Sequence, residues 1–299
     1  MTFEILCADS LFRFQGFTDK LFWSTWNWKI NPWEVSSPMQ LSDKSIVTCV
    51  NCKQTSEISY EILSVKSVEK TGFFEHRVLK MKNGGTLWEL VRVAKGCCYL
   101  RFSVNSDWNR IELLKDITNT NGTTAFEYLT RMMPGILLKQ NILSFHGVLM
   151  EYQGYGIVIS AASGTGKTTH ARLWRDLKHA LIINGDYTAV RVKNGIWIGY
   201  GLPWSGTSGE QINRSVPLKA LVVLERSEQN EAHRITGLDA FSSVLPHLQY
   251  PTWDKQMINK AMDNLDQFLK EVLIIRLCCR PDFESVDVLY QMLENYNLQ

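Results

Sequence analysis

The chain has 299 residues, a formal net charge of +2, 45% hydrophobic residues and 21% charged residues, a balance typical of globular proteins and a length for one large domain or two modest ones. No concentrated basic block supports nucleic-acid binding, and no apolar run approaches the ~20 residues that span a bilayer. The opening "MTFEILCADS" has none of the features of a secretory signal, so a cytoplasmic protein with no membrane or nucleic-acid partner is expected.

The first ~120 residues read as mostly β. The early stretch "LFRFQGFTDKLFWSTWNWKI" is rich in aromatics with only Arg13, Lys20 and Lys29 among them, so it reads as packing surface rather than a base-stacking platform. Cys49 and Cys52 form a C-x-x-C, the spacing of half a zinc site or of a redox pair. No second such pair accompanies it. The seven cysteines also make a poor disulfide framework, being odd in number with two adjacent pairs, so reduced thiols are expected. Further on, "GFFEHRVLKMK" and "TLWELVRVA" flank Asn83-Gly84-Gly85 in the manner of a hairpin, and "CCYLRFSV" continues the strands.

"TNTNGTTAF", from Thr118 to Phe126, is a turn-rich break, and a domain boundary is expected there, with a β-rich domain over 1–122 and an α/β domain over 123–299. The following "AFEYLTRMMPGILLKQN" has helical spacing with a kink expected at Pro134. Strands are expected on both sides of Gln153-Gly154, a helix over 168–178, then strands in "ALIING", "GIWIGYG" and "LKALVVLER". The long amphipathic helix "DKQMINKAMDNLDQFLKEV", the strand "LIIRLCC" and the helix "DFESVDVLYQMLENY" close the chain. Strands enclosed by helices imply an α/β domain around a central sheet.

The stretch with most chemical content is "ISAASGTGKTTHARLW", Ile159 to Trp174. A phosphate-binding loop needs convergent backbone N–H groups, glycine where the chain curls tightly, a lysine for the phosphates and a hydroxyl for Mg²⁺. Gly164 and Gly166 supply the curl, Lys167 the charge and Thr168 the metal-side hydroxyl. Ser163, Thr165 and Thr169 complete the expected nucleotide-binding set. Ala161 stands where such loops usually carry their first glycine, which fits if its φ is negative.

Nineteen residues after Lys167, an apolar strand ends at Asp186, able to ligate Mg²⁺ or accept the proton of an attacking hydroxyl. Its other reading is a plain turn aspartate in "NGD", a turn that Asn184 and Gly185 would shape. His146 in "FHGVLM" precedes the loop-bearing strands and can touch phosphate, tune Asp186 or sit in the core. In "GYGLPWSGTSGEQINRSVPLK", Gly206 and Gly209 flank Thr207-Ser208 in what reads as a mobile loop over the ligand. Arg214 is a candidate to neutralise a transferring phosphoryl group, or else a solvated surface arginine.

The combination of "FHGVLM", a two-strand lead-in, "SGTGKT", a short helix and "INGD" resembles the HPr kinase and phosphoenolpyruvate carboxykinase superfamily over roughly residues 140–290. Within it, the chain resembles the HPr kinase-like proteins found with peptide-modification clusters. The resemblance implies a P-loop kinase-like mixed central sheet flanked by helices, with ATP and Mg²⁺ as cofactors. Lys167 would lie on the phosphates, Thr168 and Asp186 on the metal, Asp186 as catalytic base and His146 as the histidine ahead of the loop. It implies phosphorylation of a hydroxyl, in a peptide or protein serine or a small molecule. The β-rich half would then recognise the acceptor or a partner, and homo-oligomers would be in keeping with family members that assemble. Two other readings stay open: a nucleotide-binding regulatory or assembly protein with no acceptor, and a carboxykinase-like metabolic enzyme.

Overall fold

A computed structural model describes residues 2–16, 30–35, 46–52, 61–118, 123–206 and 208–296. Residues 17–29 of the aromatic stretch, 119–122 of the expected boundary and Thr207 lie outside the described residues. The chain forms two compact units, Met1–Gln140 with Pro251–Lys255, and Asn141–Tyr250 with Gln256–Gln299.

The first unit holds an eight-stranded mixed sheet made of β1 (Thr2–Cys7), β2 (Ser10–Gln15), β3 (Ile46–Asn51), β4 (Ile62–Thr71), β5 (Phe74–Met81), β6 (Thr86–Arg92), β7 (Cys97–Val104) and β8 (Arg110–Asp116). The spatial order is β1-β2-β3-β8-β7-β6-β5-β4. Among the described residues, β2–β3 and β3–β8 run parallel and the other neighbours antiparallel. The expected hairpin is β5–β6: Gly84 takes φ +87°, and the Asn83 side chain accepts from the Gly85 N–H at 3.0 Å, closing the turn locally. Cys49 is buried on β3, and burial pushes its thiol well above the ordinary range. Burial and the neighbouring Glu112 carboxylate raise Cys52 in the same direction. Neither is bridged in a disulfide, and burial favours the thiol form of both.

Helices α1 (Thr123–Tyr128) and α2 (Met133–Lys139) belong to this first unit, so the division falls at 140/141 rather than at 122/123. Tyr128 accounts for much of it, donating its hydroxyl to the Glu89 carbonyl at 2.9 Å and stacking on Phe102. Arg131 pairs with Glu69 at 2.6 Å. Pro134 opens a helix instead of kinking one. A 3₁₀ turn over Leu129–Arg131 ends the first helical run, and Pro134 sits in the first turn of α2, where its missing N–H costs no helical bond.

The second unit is a mixed α/β structure. Its strands are β9 (Leu143–Tyr152), β10 (Tyr155–Ser160), β11 (Leu181–Asn184), β12 (Tyr187–Lys193), β13 (Ile196–Tyr200), β14 (Ser215–Arg226), β15 (Glu231–Arg234), β16 (Leu248–Gln249) and β17 (Leu273–Cys279). Its helices are α3 (Lys167–Lys178), α4 (Gly237–Val244), α5 (Lys255–Glu271) and α6 (Phe283–Asn295). β12, β15, β16 and α4 are additions to the elements expected from the sequence. β12 and β13 form a hairpin through Asn194 (φ 52°) and Gly195 (φ 78°), two consecutive left-handed residues as a tight turn of the right twist requires.

Pairing runs round a closed circuit, β10–β9–β12–β13–β14 and back to β10. The circuit closes because β9 and β14 are long enough to change partners. Leu143–His146 of β9 pair with β12, and Gly147–Tyr152 pair with β10. Gly147 stands at the changeover, where a Cβ would meet the Ile159 carbonyl oxygen at 2.9 Å. β14 runs parallel to β10 on one side and to β17 on the other. Val148, Ile159, Val222 and Ile275 of these strands share a core with Trp174 of α3 and Leu289 of α6. On the order of 2 kcal/mol per fully buried aliphatic side chain stabilises this layer.

The α3–α6 seam carries a buried histidine. His170 is 2% exposed; its Nε2 accepts from Trp174 Nε1 at 3.2 Å, and its Nδ1 lies 3.3 Å from Ser285 Oγ. Ser285 Oγ donates to the Asp282 carbonyl at 2.6 Å, which leaves its oxygen to accept from Nδ1–H and assigns the neutral tautomer. Burial pushes the His170 pKa from 6.5 down to about 4, with Asp282 opposing. A depressed histidine stabilises the fold fully above pH 6.5 and loses that contribution as pH falls through its folded value. The unfolding free energy of the wild type should therefore drop relative to His170→Gln by on the order of 3 kcal/mol between pH 7 and pH 4. Urea titrations at the two pH values check this, and a difference that does not vary with pH contradicts it.

Candidate functional site

β10 ends at Ser160, α3 begins at Lys167, and the residues between curl through Gly164 (φ +76°) and Gly166 (φ +126°). Nothing lies within 4 Å of a Cβ placed on either glycine, so what glycine supplies at these two positions is conformation. Ala161 is not among the residues with positive φ, which satisfies the condition set by its lack of glycine. It is buried, whereas Ala162, Ser163 and Gly164 face solvent.

Lys167 is 8% exposed, and its Nζ donates to the carbonyls of Ala161 at 2.9 Å and Ala162 at 3.4 Å. Burial lowers its pKa, and the Asp186 carboxylate partly restores it, so the ammonium and that carboxylate lie within electrostatic reach. Thr168 is half-buried one residue on, and Thr169 is exposed.

Asp186 is held by its turn. The Asn184 side chain is fully buried: its Nδ2 donates to the carbonyls of Leu202 (2.9 Å) and Trp204 (3.0 Å), and its Oδ1 accepts from the N–H groups of Asp186 (3.0 Å) and Tyr187 (2.9 Å). Every hydrogen-bonding position on that amide is directed at backbone, which fixes where the aspartate leaves the chain. The Asp186 carbonyl then accepts from Gly147 N–H at 2.9 Å. Its carboxylate Oδ1 lies 3.2 Å from His146 Nδ1, both side chains being partly exposed at 23% and 31%. Ser160 Oγ donates to the His146 carbonyl at 2.6 Å, tying the histidine's backbone to the end of the loop-bearing strand.

Gly206 takes φ +55°, and a Cβ there would overlap Asp186 Oδ2, so a glycine read as part of a mobile loop is the one that leaves room for the carboxylate. Beyond it the segment is anchored. Glu210 accepts from Gly185 N–H at 2.9 Å through its carbonyl, and its carboxylate meets Arg172 and Arg175 of α3 at 3.1 and 3.4 Å. Ile212 N–H donates to the Ile183 carbonyl at 2.9 Å.

Lys167, His146 and Asp186 are thus brought together, and Arg214 is not. Arg214 forms a two-pronged pair with Glu151, Nη2 to Oε1 at 2.7 Å and Nε to Oε2. Glu151 sits opposite Gly156 at the start of β10, four residues and roughly 13 Å of strand from the end that carries the loop. The arginine that does reach the loop is Arg226 at the far end of β14: its Nη2 donates to the Gly164 carbonyl and its Nε to the Thr165 carbonyl at 3.2 Å. With the Thr165 carbonyl turned toward the guanidinium, the N–H on the same peptide plane, that of Gly166, points the opposite way.

A cavity of about 570 Å³ opens beside the loop. Its walls include Ser163 and Thr165 of the loop, Glu225 and Arg226 of β14, Ser243 of α4, and His247. Neither Arg226 nor His247 carries a signal in the sequence, because each reaches the loop only through strand pairing. The site as a whole gathers the glycine loop, an ammonium and two imidazoles at one end of β10, with the Asp186 carboxylate beside them. Chemically it can hold an anion and take up a proton next to it. The oxygens of Thr168 and Asp186 are hard donors of the kind a Mg²⁺ ion takes when it keeps waters and binds through one or two protein groups plus phosphate.

The family described as "SynChlorMet cassette protein ScmC" matches residues 129–273. No curated protein matches the chain. Among solved structures, the chain is similar to one titled "Structure of the Hpr(Ser) kinase/phosphatase from Coxiella burnetii", with 12% identity and a TM-score of 0.32, covering 52% of this chain and 96% of that one.

Proposed function

We propose that residues 141–299 form an ATP-dependent kinase that transfers the γ-phosphoryl group to a hydroxyl, in a peptide or protein serine or in a small molecule. The observation that carries this is the meeting of the Asp186–His146 pair with Lys167 at one end of β10, an acid–base pair beside an anion-holding loop. Loop amides and Lys167 hold the phosphates, and the acceptor hydroxyl stands against Asp186. The acceptor oxygen bonds to the γ-phosphorus as the bond to the β–γ bridging oxygen breaks; ADP leaves, and Asp186 takes the hydroxyl proton. His146, 3.2 Å away, orients the carboxylate and passes that proton onward. Mg²⁺ held by Thr168 and Asp186 would supply charge neutralisation on the phosphates when bound. Little covalent work falls to the protein, so positioning and electrostatics supply the rate.

The test is incubation of the full chain with γ-labelled ATP and Mg²⁺ against free serine, HPr, serine-containing peptides and peptides encoded beside its gene. Label in one acceptor, with ADP formed in equal amount, supports the proposal. Label only in inorganic phosphate, whatever the acceptor, speaks for a nucleotide-hydrolysing regulator instead.

A further inference from the structure

The second imidazole at this site, that of His247, comes from a segment remote in sequence. The antiparallel register between β16 and β9 pairs Leu248 with Phe145 and Gln249 with Ser144. One step further along the same register sets His247 opposite His146. β10 continues the same edge of β9 from Gly147 onward, with Ser160 opposite Gly147. His247 therefore stands where β16 gives way to the loop-bearing end of β10, and it lines the cavity with Ala162, Ser163, Gly164 and Thr165.

Charged and titratable groups face it from three other elements. Lys167 comes from α3 and His146 from β9, with Asp186 beyond His146; Glu225 and Arg226 come from the end of β14. Arg226 is committed to loop carbonyls and Glu225 lies 3.2 Å from Arg276. Burial, then the Lys167 ammonium and the neighbouring His146, hold the His247 imidazole below its ordinary pKa. It is a base beside the Lys167 ammonium and the Arg226 guanidinium, an arrangement that an anion with charge on several oxygens relieves.

We propose that His247 contacts the γ-phosphoryl group, in the cavity between the loop and residues 242–247, as a substrate-binding residue that donates an N–H to a terminal phosphate oxygen. This rests on the phosphoryl-transfer reading above. It assigns to the cavity a chemical class of ligand, the terminal phosphate of a polyphosphate chain, and it makes the contact strongest when the imidazole is protonated.

The test follows imidazole proton resonances of the full chain by NMR as pH is varied, alone and with tripolyphosphate, ATP or ADP, the His247 signal being identified by its loss in His247→Gln. The pKa of His247 should rise by about one unit with tripolyphosphate or ATP and should move much less with ADP. Tripolyphosphate affinity should fall roughly five- to tenfold in His247→Gln at pH 6 and less at pH 8. Equal shifts with ADP and ATP would overturn the assignment to the terminal phosphate. Should tripolyphosphate bind the wild type and weaken in Lys167→Ala, while His247 keeps its titration and His247→Gln binds normally, this inference fails and the kinase proposal stands. Should tripolyphosphate and ATP both fail to bind the wild type, both fall. If His247→Gln does not fold, His247→Asn identifies the signal and takes its place in the affinity comparison.

Discussion

Lys167→Ala should weaken nucleoside triphosphate binding at least a hundredfold while leaving the melting temperature within a few degrees of the wild type. The Nζ belongs to a side chain that is 8% exposed and already stripped of most of its water, so a phosphate oxygen meets a charge that costs little further desolvation. A charge-assisted bond of this kind contributes roughly 1.5–3 kcal/mol, and loss of the full charge beside two or three phosphate groups adds to it. The same ammonium is shared between the Ala161 and Ala162 carbonyls, so the variant also loses two bonds that draw the start of the loop inward. Lys167→Arg should not restore binding, because the guanidinium is too broad for a position this buried. Calorimetric titration with ATP and Mg²⁺ checks the pair of variants; affinity within threefold of wild type in Lys167→Ala would remove the loop from the account.

Gly206→Ala should abolish transfer to within the noise of a hundredfold-sensitive assay while nucleotide affinity changes by less than a few-fold. The added methyl would need the space that Asp186 Oδ2 occupies, and φ +55° disfavours any side chain there. The backbone of Asp186 cannot give way, being fixed by the four bonds of Asn184, so the carboxylate must rotate from His146. A loss of general-base positioning of that kind costs roughly 10²- to 10⁴-fold. The ratio of the two effects matters most: a variant that loses nucleotide binding and transfer together would mean that Gly206 supports the fold rather than the carboxylate. Rescue by Gly206→Ser is not expected, since the added Cβ is the same.

How far the sequence can be read follows from how local each determinant is. The strand–loop–helix around Lys167 is legible because its glycines, lysine and flanking apolar strand are contiguous. The β5–β6 hairpin is legible for the same reason, its turn being closed by the Asn83 side chain two residues from its partner. Asn184 is legible as a turn residue, but its strength is not: two of its four bonds go to Leu202 and Trp204, whose nearness depends on the whole β12–β13 excursion.

The arginines show the same limit more sharply. Arg214 precedes β14 and Arg226 ends it, and nothing in "NRSVPLKALVVLER" says which end lies at the loop. The parallel register of β14 with β10 decides it, with Ala220 opposite Ile157 and Val223 opposite Ser160. That register carries Arg226 toward the loop and leaves Arg214 at the other end with Glu151. His247 depends on a two-residue strand pairing with residues about a hundred positions earlier. Pro134 departs from expectation for a different reason: its helix-breaking character is clear, but whether it kinks one helix or opens another depends on the 3₁₀ turn before it.

In the proposed kinase, Asp186 serves above all the transfer of phosphate, its share in holding Mg²⁺ and nucleotide being the smaller effect. The most direct measurement compares wild type and Asp186→Asn in single-turnover transfer of labelled γ-phosphate to an accepted hydroxyl, with ATP and Mg²⁺ saturating for each. Asparagine keeps the shape, and the Asn184 scaffold keeps the backbone, so ATP affinity should stay within about tenfold while the rate falls by roughly 10³. Equal rates of transfer, or of slow ATP hydrolysis with no acceptor labelled by either protein, would contradict it.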